Sequence, residues 1–208
     1  MSFQATLAMK TTSRSAEARL HILNTAQRIV GAKGFSSVGL NEILAAASVP
    51  KGSFYYYFES KDAFGKALLD NYFAKDLSQI DEFLLAPGRS ARQRLEAYWS
   101  FFRANQEQHD PGGRCLAVKL GAEVSDMSEE MRLALKSGTS TIISRLARVL
   151  REGRTDGSMS FSGDPKAAAH TLYQLWMGAS VMSKISHDRV AFTNANAATE
   201  RILSGEPV

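Results

Sequence analysis

Apolar side chains recur at helical spacing along nearly the whole chain. The first clear run places residues three and four apart on one face: Ile22, Leu23, Ala26, Ile29 and Val30. Prolines are few, and no long stretch alternates between apolar and polar residues as a half-buried strand does. The pattern predicts an all-α protein of about nine helices, without internal repeats or low-complexity segments.

Turn and cap residues divide this pattern into individual helices. The first ten residues are predicted to form a frayed tail, and Ser60 is placed to cap a long helix. Three short helices come first: one ending before Gly34, one over residues 40–47 and one over residues 50–58. The longer predicted helices span residues 61–85, 90–108, 114–124, 128–152, 164–185 and 190–203, with a break at "DPGG", residues 110–113.

Positive charge is concentrated at the start of the chain. The 208 residues carry a net charge of +4, and residues 1–58 hold six basic but only two acidic side chains. The rest of the chain is therefore neutral overall. A compact basic segment on a neutral body is typical of a polyanion-binding head, although a solvated basic surface is the alternative interpretation.

Composition excludes several other classes of protein. No apolar run is long enough for a membrane span, and the N-terminus lacks a signal peptide pattern, so we expect no membrane partner. A single cysteine cannot form an intramolecular disulfide, which favours a reducing, cytoplasmic location. No phosphate-binding glycine loop, HExxH motif or paired zinc-ligand motif occurs, so we expect no cofactor and no metal.

One short segment is unusually rich in aromatic residues. "SVPKGSFYYYFESKDAFG", residues 48–65, contains three consecutive tyrosines between two phenylalanines. Phe54 and Phe58 are four apart and can both face inward, which turns Tyr55 and Tyr56 to other faces. Phenol groups donate hydrogen bonds to phosphate oxygens. Two short helices and a tight turn in a basic segment predict a helix-turn-helix, against the alternative of an aromatic packing helix.

This segment resembles the DNA-binding head of the TetR family of bacterial regulators. The similarity runs over "KGFSSVGLNEILAAASVPKGSFYYYFESKDAF", residues 33–64. It implies a homodimer in which each subunit inserts the helix 50–58 into a major groove of a near-palindromic DNA operator. It also implies a tail over residues 1–14, a DNA-binding domain over 15–60 and a regulatory and dimerisation domain over 61–208, whose last two helices form the dimer interface.

The resemblance assigns roles to individual residues of the head. Base-edge or groove-floor contacts fall on Lys51, Gly52 and Ser53. Phosphate contacts fall on Tyr55, Tyr56, Tyr57 and Lys61. Relatives often hold a phosphate with a threonine or serine at the start of the second helix, where this chain has Val38 and Gly39. Main-chain N–H groups there, or Ser36 or Ser37, are the alternatives.

Outside the head, Cys115 is the main candidate for regulatory chemistry. It opens a predicted helix within "GGRCLAVKLGAEVSDMSEEMR", residues 112–132. A helix N-terminus, with Arg114 adjacent, favours the thiolate and lowers the pKa of a thiol. The alternative is a small buried apolar side chain. A cysteine hydrolase using His109 is an alternative that leaves the DNA-binding head unexplained. An architectural protein that binds DNA without sequence preference is a third, and a specificity ratio near one would reveal it.

Two further blocks resemble one subgroup of the family. "CLAVKLGAEVSDMSEEMR" and "LYQLWMGASVMSKIS" are similar to the electrophile-sensing subgroup around the repressor of N-ethylmaleimide reductase. The resemblance implies that Cys115 senses electrophiles or oxidants and that Lys184 approaches it. We expect chemistry at Cys115 to shift the helix 114–124, to tilt the helix that begins near Lys61, and so to relieve repression.

Aromatic residues on two later helices offer a different regulatory site. A reversible small-molecule effector, such as an unsaturated acid or an aldehyde, is the alternative to covalent sensing. Residues of this kind more often form core. The pocket candidates are Tyr98, Phe102, Tyr173, Trp176 and Met177.

Overall fold

The structure, a computed structural model, describes residues 3–107 and 115–206, with side chains described from residue 15 onwards. Within these residues it contains nine α-helices, one 3₁₀ turn and no strand, which confirms the predicted fold class. The helices are α1 (Phe3–Lys33), α2 (Leu40–Ala46), α3 (Phe54–Tyr57), α4 (Lys61–Leu84), α5 (Ala91–Glu107), α6 (Leu116–Ser125), α7 (Glu129–Thr155), α8 (Pro165–Ser186) and α9 (Val190–Ser204).

The predicted boundaries of the longer helices agree with these elements to within a few residues. The main difference is at the N-terminus, where α1 already begins at Phe3 and not after a tail. Residues 3–14 contain neither glycine nor proline, so nothing in the sequence interrupts the helix there. The "DPGG" break, His109 and Arg114 lie outside the described residues.

Local hydrogen bonds explain where several helices start and stop. The hydroxyl of Ser60 accepts a hydrogen bond from the backbone N–H of Ala63 at 3.0 Å, as its predicted capping role requires. The carboxylate of Asp164 caps α8 by accepting from two backbone N–H groups of its first turn. Gly34 ends α1 with a φ of +93°, a conformation in which glycine carries no penalty.

The described residues form two compact units. The head unit contains the residues up to 72 together with residues 119–135, and the regulatory unit contains residues 73–107, 115–118 and those from 136 onward. The division passes through α4, α6 and α7. The head unit is larger than the predicted DNA-binding domain, whose functional boundary at residue 60 stays a prediction.

The head unit is built on a dense apolar core. Each fully buried aliphatic or aromatic side chain contributes about 1.5–3 kcal/mol to stability. Gly65 allows close packing, because a Cβ there would lie 2.5 Å from the sulfur of Met131. The buried side chains of this core include Ile22, Leu23, Ala26, Val30, Val38, Ile43, Leu44, Phe54, Phe58, Phe64, Leu68 and Leu69.

The regulatory unit has a core centred on two tryptophans. The rings of Trp99 and Trp176 stack with centroids 4.6 Å apart, and both side chains are buried. The indole N–H of Trp176 donates to the hydroxyl of Thr199 at 2.9 Å. At the periphery Arg145 donates two hydrogen bonds to Asp81. None of the described helices has the length and apolar character required to cross a membrane.

Candidate DNA-binding surface and regulatory thiol

The predicted recognition helix is not one continuous helix. Pro50 leads into a 3₁₀ turn over Lys51–Ser53, α3 then supplies a single α-helical turn, and Phe58 is already extended. The prediction of a helix over 50–58 is therefore wrong in detail. So short a segment cannot hold a regular helix by its own hydrogen bonds, and Gly52 weakens it further. Packing of its phenylalanines determines the conformation.

The aromatic residues of this segment differ in burial: the two phenylalanines are buried and two of the tyrosines are exposed. The side chains of Phe54 and Phe58 are 2% and 3% exposed, and their ring centroids lie 5.3 Å apart. Tyr55 and Tyr56 are 73% and 71% exposed. The phenylalanines thus anchor the segment in the head core, as the four-residue spacing predicted, and two phenol groups remain on the surface.

The other predicted DNA contacts lie around these two tyrosines. Lys51 and Gly52 are exposed, whereas Ser53 and Tyr57 are half-buried. The ammonium group of Lys61, at the start of α4, lies 5.2 Å from the centroid of the Phe35 ring. A cation so placed interacts with the ring face, so a phosphate would compete with this ring for Lys61.

The turn before the recognition segment contains a strained residue that sequence reasoning missed. Ser48 has a φ of +54° and is one of two non-glycine residues with positive φ among those described. This conformation costs an L-residue about 1–2 kcal/mol. The backbone N–H of Val49 bonds to the carbonyl of Leu44 at 2.9 Å, which holds the turn closed despite that cost.

The surroundings of the start of α2 show which groups could replace the threonine or serine with which relatives hold a phosphate there. Val38 is buried, and Gly39 occupies the N-cap position with no side-chain hydrogen bond. The hydroxyl of Ser36 contacts the sulfur of Met127 at 3.0 Å and is thereby engaged. The exposed Ser37 and the main-chain N–H groups at the start of the helix are the better-placed candidates.

Glu123 holds the connection between α1 and α2. One carboxylate oxygen accepts from the backbone N–H of Ser36 at 2.6 Å, and the other from that of Phe35 at 3.3 Å. Partial burial alone would raise the pKa of Glu123, but hydrogen bonds from Ser36 and Phe35 and the charge of Lys119 outweigh it and lower that pKa. The sequence analysis did not identify this residue.

Gly34 makes room for this contact. A Cβ at Gly34 would lie 3.0 Å from a carboxylate oxygen of Glu123, tighter than ordinary packing. Glu123 belongs to the last turn of α6, where the helix dipole disfavours a negative charge. Its two backbone donors compensate for that position, so the contact is a specific feature of the head unit.

Cys115, the buried Tyr98 and Tyr173, and Asp76 all belong to the regulatory unit and interact electrostatically. Cys115 immediately precedes α6 and is partly exposed. Tyr98 on α5 and Tyr173 on α8 are 2% and 7% exposed. Burial raises the pKa of each phenol, and the charges of Asp76 and Cys115 raise the pKa of both further.

Lys184 lies in the last turn of α8 and is partly exposed. It follows Tyr173 by about three helical turns. Lys184 and Cys115 belong to the same compact unit. Their direct approach stays a prediction.

The residues predicted to line a ligand pocket pack largely against one another. Trp176 is 1% exposed and contacts Phe102 edge-on at 6.1 Å between centroids. Tyr98 lies 4.6 Å from Trp99. Phe102 and Met177 are half-buried. This arrangement is that of a core, and the ligand pocket stays a prediction.

Comparison with known proteins identifies the chain's family. The sequence profile "Bacterial regulatory proteins, tetR family" matches residues 22–68, and "Tetracyclin repressor-like, C-terminal domain" matches residues 91–199. The chain belongs to the TetR family. It is 39% identical to the transcriptional repressor NemR of Escherichia coli, over 90% of this chain and 94% of that protein.

Further relatives of this TetR-family chain support the same assignment. The transcriptional regulator AcuR of Cereibacter sphaeroides is 37% identical over 74% of this chain and 70% of its own. A crystal structure of the reduced form of E. coli NemR superimposes with a TM-score of 0.85 at 40% identity, covering 92% of this chain and all of that one. The chain is thus a transcriptional regulator and not an enzyme.

Proposed function

We propose that this regulator represses transcription by binding a near-palindromic operator as a homodimer, and that modification of Cys115 by an electrophile or oxidant releases it. One observation carries the proposal. A single helix, α6, starts directly after Cys115 and carries Glu123 in its last turn, and Glu123 holds the turn before α2. Thus α6 joins the candidate sensor to the helix-turn-helix.

The exposed tyrosines support binding to the DNA backbone. Tyr55 and Tyr56 present neutral, rigid hydrogen-bond donors to solvent, because the buried phenylalanines of the same segment anchor it in the core. Lys51 and Gly52 precede them, and apart from the adjoining residues no atom in the described part of the chain lies within 4 Å of where a Cβ on Gly52 would be. The backbone at Gly52 is therefore open to close approach by a base edge. The basic excess of residues 1–58 supplies the electrostatic attraction.

The surface of α8 and α9 supports dimerisation. Exposed apolar side chains follow one another along this pair, namely Val181, Met182, Ile185 and Val190. A cavity of about 580 Å³ lies between the two helices and is lined largely by small and apolar residues. We assign this surface to the same two helices of a second copy, an isologous contact that would pair two recognition segments about 34–36 Å apart.

Light scattering tests the dimer. Ile185→Glu puts a charge on the proposed interface and is expected to give monomers at concentrations where the wild type is dimeric. Leu85→Glu is the matched control, because Leu85 is equally an exposed apolar residue but lies outside α8 and α9. A dimer that survives Ile185→Glu and is lost with Leu85→Glu would place the interface elsewhere.

Release is proposed to pass along α6. Cys115 and Glu123 are separated by about 12 Å of helix. A bulky or charged adduct at Cys115 changes the packing at the start of α6, and the displacement reaches the carboxylate that holds Phe35 and Ser36. A coupling of ~1–3 kcal/mol changes operator affinity by about 5–150-fold, which suffices for derepression. Tilting of α4 from Lys61 is the additional route predicted above.

A single cysteine limits the chemistry of sensing. Addition to an electrophile gives a thioether, and two-electron oxidation by a peroxide or hypochlorous acid gives a sulfenic acid. The sulfenic acid can then condense with the amine of Lys184, forming an S–N bond and releasing water. The crystallised relative is described as a reduced form, which is consistent with redox chemistry in that protein. Intact-mass analysis distinguishes the products, and an absence of the mass loss of one water would exclude the crosslink.

Fluorescence anisotropy on DNA from upstream of the regulator's own gene tests release. The wild type is expected to bind and then to dissociate after treatment with a thiol-reactive electrophile, whereas Cys115→Ser stays bound. Equal release of both proteins would show that the electrophile acts elsewhere. Retention of both proteins despite complete alkylation of Cys115 would show that the thiol is not the sensor.

A further inference from the structure

A hydrogen bond joins α1 to the turn that precedes the recognition segment, residues 50–58. The Nε2 atom of His21 lies 3.1 Å from the carbonyl oxygen of Ala47, although the two residues are 26 apart in sequence. Because a carbonyl oxygen only accepts hydrogen bonds, Nε2 carries the proton and donates it. Ala47 is 3% exposed, so its carbonyl depends on a protein donor more than on water.

This hydrogen bond lies at the end of α2, where the backbone is strained. Ala47 is the C-cap of α2, and the next residue, Ser48, has the φ of +54° described above. The backbone N–H groups of Ala47, Ser48 and Val49 bond to carbonyl groups of α2 itself. The carbonyl of Ala47 receives its hydrogen bond from α1 instead. His21 thus adds a contact from a second helix to a conformation that is unfavourable for serine.

The far end of the recognition segment also contacts α1. The guanidinium carbon of Arg19 lies 5.0 Å from the centroid of the Phe58 ring, within the range of a cation–π interaction. Phe58 is the extended residue that ends α3. Arg19 and His21 are two residues apart on α1. One helix therefore contacts the chain both before and at the end of a segment that is too short to fix its own conformation.

We propose that His21 is a positioning residue for operator recognition: its hydrogen bond to Ala47 holds the turn at Ser48 in the conformation that presents the recognition segment to the major groove. This inference rests on the proposed operator binding. His21 acts through the turn and requires no contact with DNA. Its loss should weaken selection of the operator, because base-edge contacts depend on the orientation of the segment. Attraction to DNA of any sequence depends on charge and should persist.

The specificity ratio tests the inference. It compares the affinity for DNA from upstream of the regulator's own gene with the affinity for a scrambled duplex of equal length, both measured by fluorescence anisotropy. His21→Ala is expected to lower the first affinity about tenfold, because the Ala47 carbonyl loses its donor. The affinity for the scrambled duplex should stay within about twofold of the wild type.

His21→Gln and His170→Ala are the matched controls. Glutamine can place an N–H donor close to the position of Nε2, so His21→Gln is expected to keep most of the wild-type ratio. His170 is an exposed histidine on α8 in the regulatory unit, and the same truncation there should leave the ratio unchanged. Circular dichroism at the assay temperature checks that each variant is folded.

A second substitution tests the route through the turn. Glycine adopts a positive φ without penalty, so Ser48→Gly removes the strain that His21 is proposed to offset. The double variant His21→Ala and Ser48→Gly should therefore recover much of the lost operator affinity. It also decides the case if His21→Ala alone does not fold. A folded double variant with the wild-type ratio supports the inference, and one with a ratio about tenfold lower overturns it.

Two further outcomes would overturn the inference. One is a folded His21→Ala variant with the wild-type ratio, and the other is an equal loss of affinity for both duplexes, which would indicate general damage to the head. The proposed function fails separately. A wild-type ratio near one would reject operator recognition and the inference with it, whereas a high wild-type ratio that His21→Ala preserves would reject the inference alone.

Discussion

Tyrosine side chains lie in opposite environments in the two compact units. In the head unit Tyr55 and Tyr56 are 73% and 71% exposed, whereas in the regulatory unit Tyr98 and Tyr173 are 2% and 7% exposed. Exposed phenols donate to any phosphate that approaches and need only a fixed backbone. Buried phenols have a raised pKa and therefore stay protonated within the core. The degree of burial therefore determines which hydrogen bonds and which pKa a tyrosine hydroxyl has in this protein.

The difference arises from the elements that carry the residues. Tyr55 and Tyr56 sit on a one-turn helix anchored by Phe54 and Phe58, so that they have nowhere to pack but outward. Tyr98 and Tyr173 sit on the longer helices α5 and α8, which both contribute to one core. Substitutions of the buried aromatic residues should therefore change the free energy of unfolding, whereas substitutions of the exposed tyrosines should change operator affinity.

Truncation of core aromatics is expected to have the largest effect. Trp176→Ala removes a stacked ring and the hydrogen bond to Thr199, and it should lower the free energy of unfolding by about 3–5 kcal/mol. Tyr55→Ala should change it by no more than about 0.5 kcal/mol, because the ring is exposed. Denaturant unfolding measures both. A large loss of unfolding free energy with Tyr55→Ala would show that this tyrosine stabilises the fold, and the two units would then not differ in how they use tyrosine.

Loss of the exposed hydroxyls is expected to affect operator binding and not stability. The double substitution Tyr55→Phe and Tyr56→Phe removes the two proposed phosphate donors, which would be worth about 0.5–1.5 kcal/mol each, so operator affinity should fall about tenfold. The slope of log affinity against log salt should stay unchanged, because neither hydroxyl is charged. Lys51→Ala should reduce that slope by about one if its ammonium contacts a phosphate. Anisotropy titrations at several salt concentrations measure these slopes.

An operator affinity unchanged by the double substitution would move the phosphate contacts elsewhere, with Tyr57 and the start of α2 as the next candidates. Tyr98→Phe is the control, because it removes the hydroxyl of a buried tyrosine instead of an exposed one. It should leave operator affinity unchanged, since its hydroxyl lies in the regulatory core.

The sequence predicted the helices well because their signals are local. Four-residue spacing predicted the inward faces of Phe54 and Phe58, and the hydroxyl of Ser60 was correctly predicted to cap the helix that follows it. The recognition segment was predicted less well. Its 3₁₀ turn and the positive φ of Ser48 depend on packing of the head core, which no local pattern encodes.

The candidate site depends on contacts between residues distant in sequence. Tyr98, Cys115 and Tyr173 are far apart in sequence, and only the fold makes them interact electrostatically. Glu123 gave a weak local signal, an acidic residue in the last turn of a helix, where the dipole disfavours it. Its partners are the backbone N–H groups of Phe35 and Ser36, which carry no sequence signal at all.

Glu123→Gln is expected to have a smaller effect, confined to the head. The substitution keeps the shape but weakens two charge-assisted hydrogen bonds, at a cost of about 1 kcal/mol near neutral pH. Hydrogen exchange at the amides of Phe35 and Ser36 should accelerate in the variant. Glu130→Gln is the matched control, because it removes the same charge from an exposed position in the head unit.

The pH dependence of this effect has a defined sign. The folded-state pKa of Glu123 lies below its unfolded value, so the carboxylate's contribution is fully present above the unfolded pKa of about 4.3 and is lost as the pH falls through the folded-state value. Wild type and Glu123→Gln should thus differ at pH 7 and converge on acidification. A constant difference from neutral to acid pH would mean that shape and not charge holds the α1–α2 turn, and α6 would then transmit release by packing alone.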